Sequence, residues 1–235
     1  MGIAIVQVGS AVNTSASLTS ANTLSGVASG DSLFFLASQG FTDGSSPTVS
    51  VADGQGTYSQ DVFTERGSQS YSGIFSLFNA NSGTHSATAT ASTGTAADHD
   101  WYNNMLEVSG LGTTNSLDQT SSDNANTSAT PTTGATGALA QGSELVLTAM
   151  QFNNDSSLGT YPPTGGNNSP FISLYSTQSS SAGTCDADYQ INTSATTAVQ
   201  ASWGTLNAAA IWTAVIATYK AAAVSSAKLL LLSAS

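Results

Sequence analysis

Positive charge is almost missing from this chain of 235 residues. Arg66, Lys220 and Lys228 make up all 3 Lys+Arg, against 14 Asp+Glu, for a formal net charge of -11. Phosphate backbones and anionic lipid surfaces are held by clusters of Lys and Arg, so nucleic acid and acidic membranes are excluded as partners. Cysteine is equally scarce: with Cys185 alone no internal disulfide can form, and packing and backbone pairing must hold the fold. A secretory leader needs a basic start and a continuous apolar run. Residues 1–20 contain no Lys or Arg and turn polar at Gln7 and Asn13, so the expectation is that Met1 is the true start and no signal is present. The longest apolar stretches, 208–217 and 229–232, fall well short of the roughly 20 residues of a membrane helix. No span is expected.

What remains is enough for a core: 40% hydrophobic residues and 22 glycines. Short runs rich in β-branched and aromatic residues alternate with Ser, Thr, Asn, Gly and Ala, an all-β rhythm. The clearest runs are 3–8, 32–38, 48–52, 58–64, 74–78, 85–91 and 101–108, then 144–152, 171–176, 187–191, 198–203 and 211–219. Asp53-Gly54-Gln55-Gly56 and Asn81-Ser82-Gly83 read as hairpin turns, because both supply residues that tolerate positive φ. The stretch 208–224 has the alanine of a helix, but Ile211, Thr213, Val215, Ile216 and Thr218 favour a strand.

Residues 111–140, with few large apolar side chains, read as a long crossing loop that divides the chain. The two sides resemble each other. "GDSLFFLASQ" at Gly30–Gln39 aligns with "GSELVLTAMQ" at Gly142–Gln151, and Trp101 aligns with Trp212 at nearly the same offset. Leu33, Phe35 and Ala37 then share one strand face, as do Leu145, Leu147 and Ala149. The expected fold is all-β: one jelly-roll β-sandwich over residues 1–220, built from pseudo-repeated halves at about 1–110 and 140–220. Residues 221–235 form a C-terminal tail. Its Leu229, Leu230, Leu231 and Leu232 have no evident intramolecular partner, and the tail is expected to be an assembly element.

Chemistry is sparse. The only histidines are His85 and His99. In Asp98-His99-Asp100 a strand would turn the histidine away from both carboxylates, so His99 reads as part of a solvated loop leading into a strand. Cys185 beside Asp186 and Asp188 is a poor thiolate. Asp186 and Asp188 share one side of a strand, where calcium is conceivable, but the full calcium-loop pattern is absent and no metal is expected. Glu65, Glu107 and Glu144 are spread over three elements rather than paired as glycoside hydrolysis requires. No G-x-S-x-G elbow occurs. Neither an enzyme activity nor a cofactor is expected. Trp203, Tyr161, Tyr175 and Tyr189 are the candidates for a glycan platform, whereas Trp101 and Trp212, flanked by apolar residues, read as core anchors.

The runs "SGVASGDSLFFLASQG", "SPTVSVADGQGTYS" and "GIFSLFNANSGTHSATATAS", followed by "ALAQGSELVLTAMQ" and "AAIWTAVIATYKAA", resemble the strand texture of a domain of bacteriophage virion proteins and of some secreted bacterial β-sandwich modules. The resemblance covers most of 27–221 and carries no catalytic motif. It implies a non-enzymatic virion structural protein, a capsid decoration or head-surface or fibre component, made in the host cytoplasm and placed on the particle surface. Partners would be its own copies in a homo-oligomer and other virion proteins. The alternative expectation is a carbohydrate- or receptor-binding β-sandwich module of a tail fibre or secreted protein, with a surface glycan as ligand.

Overall fold

The computed structural model describes residues 2–114, 116–153, 162–165, 170–179, 183–194 and 196–223. The first part of the chain forms β1 (Ala4–Val8), β2 (Val12–Thr14), β3 (Thr19–Val27), β4 (Ser32–Phe41), β5 (Val49–Asp53), β6 (Gly56–Thr57), β7 (Ser59–Arg66), β8 (Ser70–Leu77), β9 (Gly83–Ala91) and β10 (His99–Ser109). The second part forms β11 (Leu117–Ser128), β12 (Glu144–Phe152), β13 (Ile172–Ser179), β14 (Gly183–Asn192) and β15 (Ala210–Lys220).

These strands build an antiparallel all-β sandwich of three sheets. The central sheet has the order β1-β10-β4-β8-β7 with β2 beside β10, an outer sheet runs β3-β9-β5-β6, and the distal sheet runs β11-β15-β12-β14-β13. Sequence dictates the layering. The β4 run SLFFLASQGF is apolar on both faces and buried along its whole length, as an inner layer requires. By contrast GTHSATATA in β9 alternates buried and exposed residues, and its sheet lies outermost.

Apolar side chains gather in three clusters instead of the single core of a two-sheet jelly roll. Leu33, Phe35, Trp101, Met105 and Phe75 of the central sheet pack on Leu24, Val51, Ala87 and Ala89 of the outer sheet. On the opposite face Phe34, Leu36, Ile74 and Leu106 meet Leu145, Leu147, Ala187, Val215 and Tyr219 of the distal sheet. Beyond the distal sheet, Val146, Met150, Phe152, Trp212 and Ile216 lie under an irregular cover that supplies Leu139, Val199, Ala201, Trp203 and Leu206. This cover is a loose antiparallel ladder, tied by backbone bonds from Leu206 to Ala129, Trp203 to Pro131, Thr133 to Ala201, Thr136 to Val199 and Leu139 to Thr196.

Several sequence readings change. The expected crossing loop is not a loop throughout: Leu117–Ser128 is a 12-residue edge strand paired with β15. Its Ser, Thr and Asn side chains are exposed or half-exposed, so no apolar run announced it. Residues 198–203, expected as a strand, belong to the irregular cover, with an isolated bridge at Ser202. Asp53 and Gly56 do close a β5–β6 hairpin, with Asp53 Oδ1 accepting the amides of Gln55 and Gly56 at 2.7 Å. Gly83, at φ 131, instead stands where the chain leaves the central sheet for the outer one. The ambiguous stretch is a strand, β15, with Ala214, Val215, Ile216 and Ala217 fully buried. Residues 221 and 222 stay bonded to the sandwich through Ser143 and Gly110 rather than leaving it as a tail. The alignment of 30–39 with 142–151 is out of phase: Leu33, Phe35 and Ala37 face the outer sheet, whereas Leu145, Leu147 and Ala149 face the central sheet.

Candidate functional site

Two features of this architecture could carry function. The first is a cleft of about 260 Å³ where edge strand β13 approaches β2 and β10, lined by Val12, Asn13, Tyr102, Tyr175, Ser176 and Thr177. Asn13 Nδ2 donates to the Tyr102 hydroxyl at 2.9 Å, and the Tyr175 hydroxyl donates to the Tyr102 carbonyl at 3.4 Å. Both rings are largely buried, at 3% and 7% exposure. Burial drives the Tyr175 hydroxyl far above its ordinary pKa, with the neighbouring Cys185 and Asp186 adding to the rise. It therefore stays a neutral donor. The cleft offers hydroxyl and amide groups on ring edges, a surface suited to a polar ligand or a partner side chain rather than to stacking on an open ring face.

The second feature lies under the cover of the distal sheet. Asp186 and Asp188, at alternate positions of β14, point to the same face, and both residues are fully buried. Trp203 Nε1 donates to Asp186 Oδ2. Asp186 Oδ1, both carboxylate oxygens of Asp188 and Thr148 Oγ1 are buried without a well-formed hydrogen bond, with the two carboxyls and the hydroxyl as one another's neighbours. Thr148 is the direct cross-strand neighbour of Asp188. Burial first, then the charge of Asp186, raises the Asp188 carboxyl strongly; burial also raises Asp186, against the bond from Trp203.

Among the described residues, Trp203, Tyr175 and Tyr189 do not share one open face. Trp203, expected near the surface, is fully buried, because its indole closes the cover over Asp186. Tyr175 lines the cleft, and Tyr189 packs half-buried against the cluster between the central and distal sheets. Tyr161 and Leu229, Leu230, Leu231 and Leu232 lie outside the described residues. Trp101 and Trp212 are buried anchors, at 0% and 3% exposure.

Neither histidine is solvated. His99 is buried in β10, stacked on Phe41 at 5.3 Å, with its Nε2 3.1 Å from Asp43 Oδ2; the flanking Asp98 and Asp100 do not reach it. His85 Nδ1 sits 2.6 Å from Asp53 Oδ2 and its Nε2 2.9 Å from the Asn81 carbonyl. Both nitrogens of His85 face acceptors, so neither offers a lone pair to a substrate proton. These two His–Asp pairs clamp loops at the outer sheet, a role that their sequence spacing did not reveal. Burial, and then the charge of Asp186, raises the Cys185 thiol well above its ordinary value. Buried and bonded to Gln151, it is a structural side chain.

Glu65, Glu107 and Glu144 remain apart, each with separate partners. Glu107 accepts the Ala28 amide at 2.7 Å and Gln7 Nε2 at 2.5 Å. Glu65 accepts the Ser46 hydroxyl at 3.2 Å, and Glu144 accepts the Gln141 amide at the same distance. Among the described residues no helix is long and apolar enough to cross a membrane. Comparison of the chain with protein-family models, with curated proteins and with solved structures gave no match.

Proposed function

We propose that this chain is a non-enzymatic structural protein of a bacteriophage particle, a capsid decoration or head-surface or fibre component that acts through assembly with its own copies and with other virion proteins. The observation that carries this reading is where large apolar side chains stay exposed. Val6 and Val8 on β1 are 50% and 44% exposed, and Ile172 on β13 is 48% exposed. Both strands are sheet edges. An edge presents unpaired N–H and C=O groups, and guarded edges carry Lys, Pro or strong bulges. The β1 sequence AIVQV has neither Lys nor Pro, and its one guard is a bulge between Ile5 and Gln7 in its pairing with β10. The same edge borders the cleft at Val12 and Tyr175, so one side of the molecule combines backbone pairing groups, apolar side chains and a pocket.

We read the two parts of the chain as pseudo-repeats. Support comes from strand orders of one plan, β1-β10-β4-β8-β7 and β11-β15-β12-β14-β13, with Trp101 and Trp212 both turned toward the covering layer of their own sheet.

Native mass spectrometry and sedimentation of the full chain test the assembly reading. The expected result is a defined homo-oligomer that a V6K/V8K double variant converts to monomer with unchanged melting. A wild-type monomer that also fails to bind phage particles overturns it. The cleft favours a second reading, recognition of a surface glycan through Asn13, Tyr102 and Tyr175. Binding on a glycan array that a Tyr175→Phe variant weakens would favour that module over a purely structural role.

A further inference from the structure

We propose that Asp186, Asp188 and Thr148 form a site for one hard divalent cation of the calcium class, enclosed between the distal sheet and its cover. The argument begins with a cost. A carboxylate taken out of water without hydrogen bonds or a counter-charge is among the most unfavourable groups a core can hold. Here two are buried on one strand face beside each other and beside Thr148, and of their four oxygens only Asp186 Oδ2 has a well-formed hydrogen bond, from the Trp203 indole. Thr148 Oγ1, opposite Asp188 in register and fully buried, faces that carboxyl without a well-formed bond to it.

The fold does not need polar groups there. In the central sheet the middle strand pair places Phe35 opposite Phe75 on the face turned to its own cover, where the distal sheet places Thr148 opposite Asp188. Oxygen atoms of two carboxylates and a hydroxyl are the donor set of calcium and magnesium, not of zinc or copper. Two carboxylates neutralise a dication without surplus charge. The Trp203 bond fixes the Asp186 carboxylate as outer-shell partners fix metal ligands. Among the described residues no third His, Cys, Asp or Glu joins the pair, so water and neutral oxygens complete the shell. The loose ladder of the cover gives the ion its way in, because a short irregular ladder opens more readily than a full sheet.

The experiment uses the full chain stripped with EDTA. Calcium is added while melting is followed by calorimetry, and terbium serves as a luminescent probe excited through the adjacent Trp203. Expected are one ion per chain and a Tm rise of about 5 °C at roughly a hundredfold excess over Kd. In Asp188→Asn the Tm shift should vanish and terbium luminescence should fall about tenfold or more, the loss expected when one of two charged ligands goes. Thr148→Val should weaken calcium binding several-fold while the metal-free protein melts no lower. If Asp188→Asn fails to fold, the wild-type and Thr148→Val titrations decide. A wild-type chain with no calcium-dependent shift overturns the proposal, as does a shift or terbium signal that survives Asp188→Asn.

Discussion

The two covered sheet faces of this protein use similar backbone plans to hold opposite chemistry. In the middle pair of the central sheet, β4 and β8, the face under the outer sheet carries Leu33 opposite Leu77, Phe35 opposite Phe75 and Ala37 opposite Gly73, with polar atoms only at its end, where Gln39 stands opposite Tyr71. The middle pair of the distal sheet, β12 and β14, carries Val146 opposite Gln190, Thr148 opposite Asp188 and Met150 opposite Asp186. The covers differ in the same sense. Over the first face lies a regular sheet whose ladder satisfies its own backbone. Over the second, Pro131 removes an amide, and the hydroxyls of Thr133 and Thr136 accept the amides of Ala201 and Val199 at 3.0 and 2.9 Å. A regular ladder asks less of side chains, so hydrocarbon fills most of that core, and the polar Asn22, Asn103 and Ser20 there bond to one another. An incomplete one must recruit side chains, and polar groups enter with them.

Exchanging the chemistry of the two faces should give the largest effect. Phe75→Asp buries a charge in the hydrocarbon core and is expected to cost about 4 kcal/mol or more, abolishing the cooperative melt followed by circular dichroism. If the variant melts like wild type, the two faces do not differ as described.

Donor-matched carboxylates mark the first part of the chain, and Gly94→Ala tests one of them. Gly94 has φ +117, and a Cβ there would collide with the His99 ring and the Asp43 carboxylate. A loss of about 2 kcal/mol in urea titrations is expected from strain and the broken pair. Asp188→Asn, which removes an unmatched carboxylate, should act the other way. In metal-free buffer near neutral pH it is expected to raise stability by about 1 kcal/mol, since folding must protonate a buried carboxyl, raised to about 10, that is ionised in the unfolded chain. A clear loss would mean that Asp188 has a partner in the fold.

Opposite pH limbs give the smallest effect. Hydrogen bonds from Ser45, and then from Thr95 and His99, hold the Asp43 carboxyl below its ordinary 3.8 despite partial burial. Its contribution is therefore present above pH 3.8 and is lost as acid titrates it downward. Glu144 lies in the distal sheet beside Asp118 and Lys220. Burial, with the charge of Asp118 as a smaller cause, raises it from 4.5 to about 7, against the bond from Thr218. Its contribution is complete below pH 4.5 and is lost as pH rises through 7. Melting temperature against pH should lose only the upper limb in Glu144→Gln and only the acid limb in Asp43→Asn.

Much of the fold was legible in the sequence because apolar periodicity reports burial directly. The runs at 32–38, 101–108, 144–152 and 211–219 became β4, β10, β12 and β15, four of the inner strands of the central and distal sheets. The polar strands β3 and β11 left no such mark. In β3 only small or scattered side chains face inward, and β11 is an edge whose pairing rests on backbone groups that every residue carries. The candidate sites were less legible. Asp186 and Asp188 were found on one face from their spacing alone, but the sequence did not place them under a cover or opposite Thr148. Trp203 looked exposed because it precedes Gly204, whereas it is the lid residue of that face. His99 was read as part of a solvated loop, whereas it is buried against Asp43, which lies just past the end of β4, the strand that pairs with β10.

By itself, then, the sequence determined the all-β character, the absence of any basic surface and the alternation that sends residues i and i+2 to one strand face. These are local properties, fixed by side-chain sterics, charge count and the period of the strand. Tertiary structure alone decided which face meets which layer. A strand buried on both sides looks the same whether its odd residues or its even ones face a given neighbour, and so an alignment of Leu33 with Leu145 can match letters while the two side chains enter different cores.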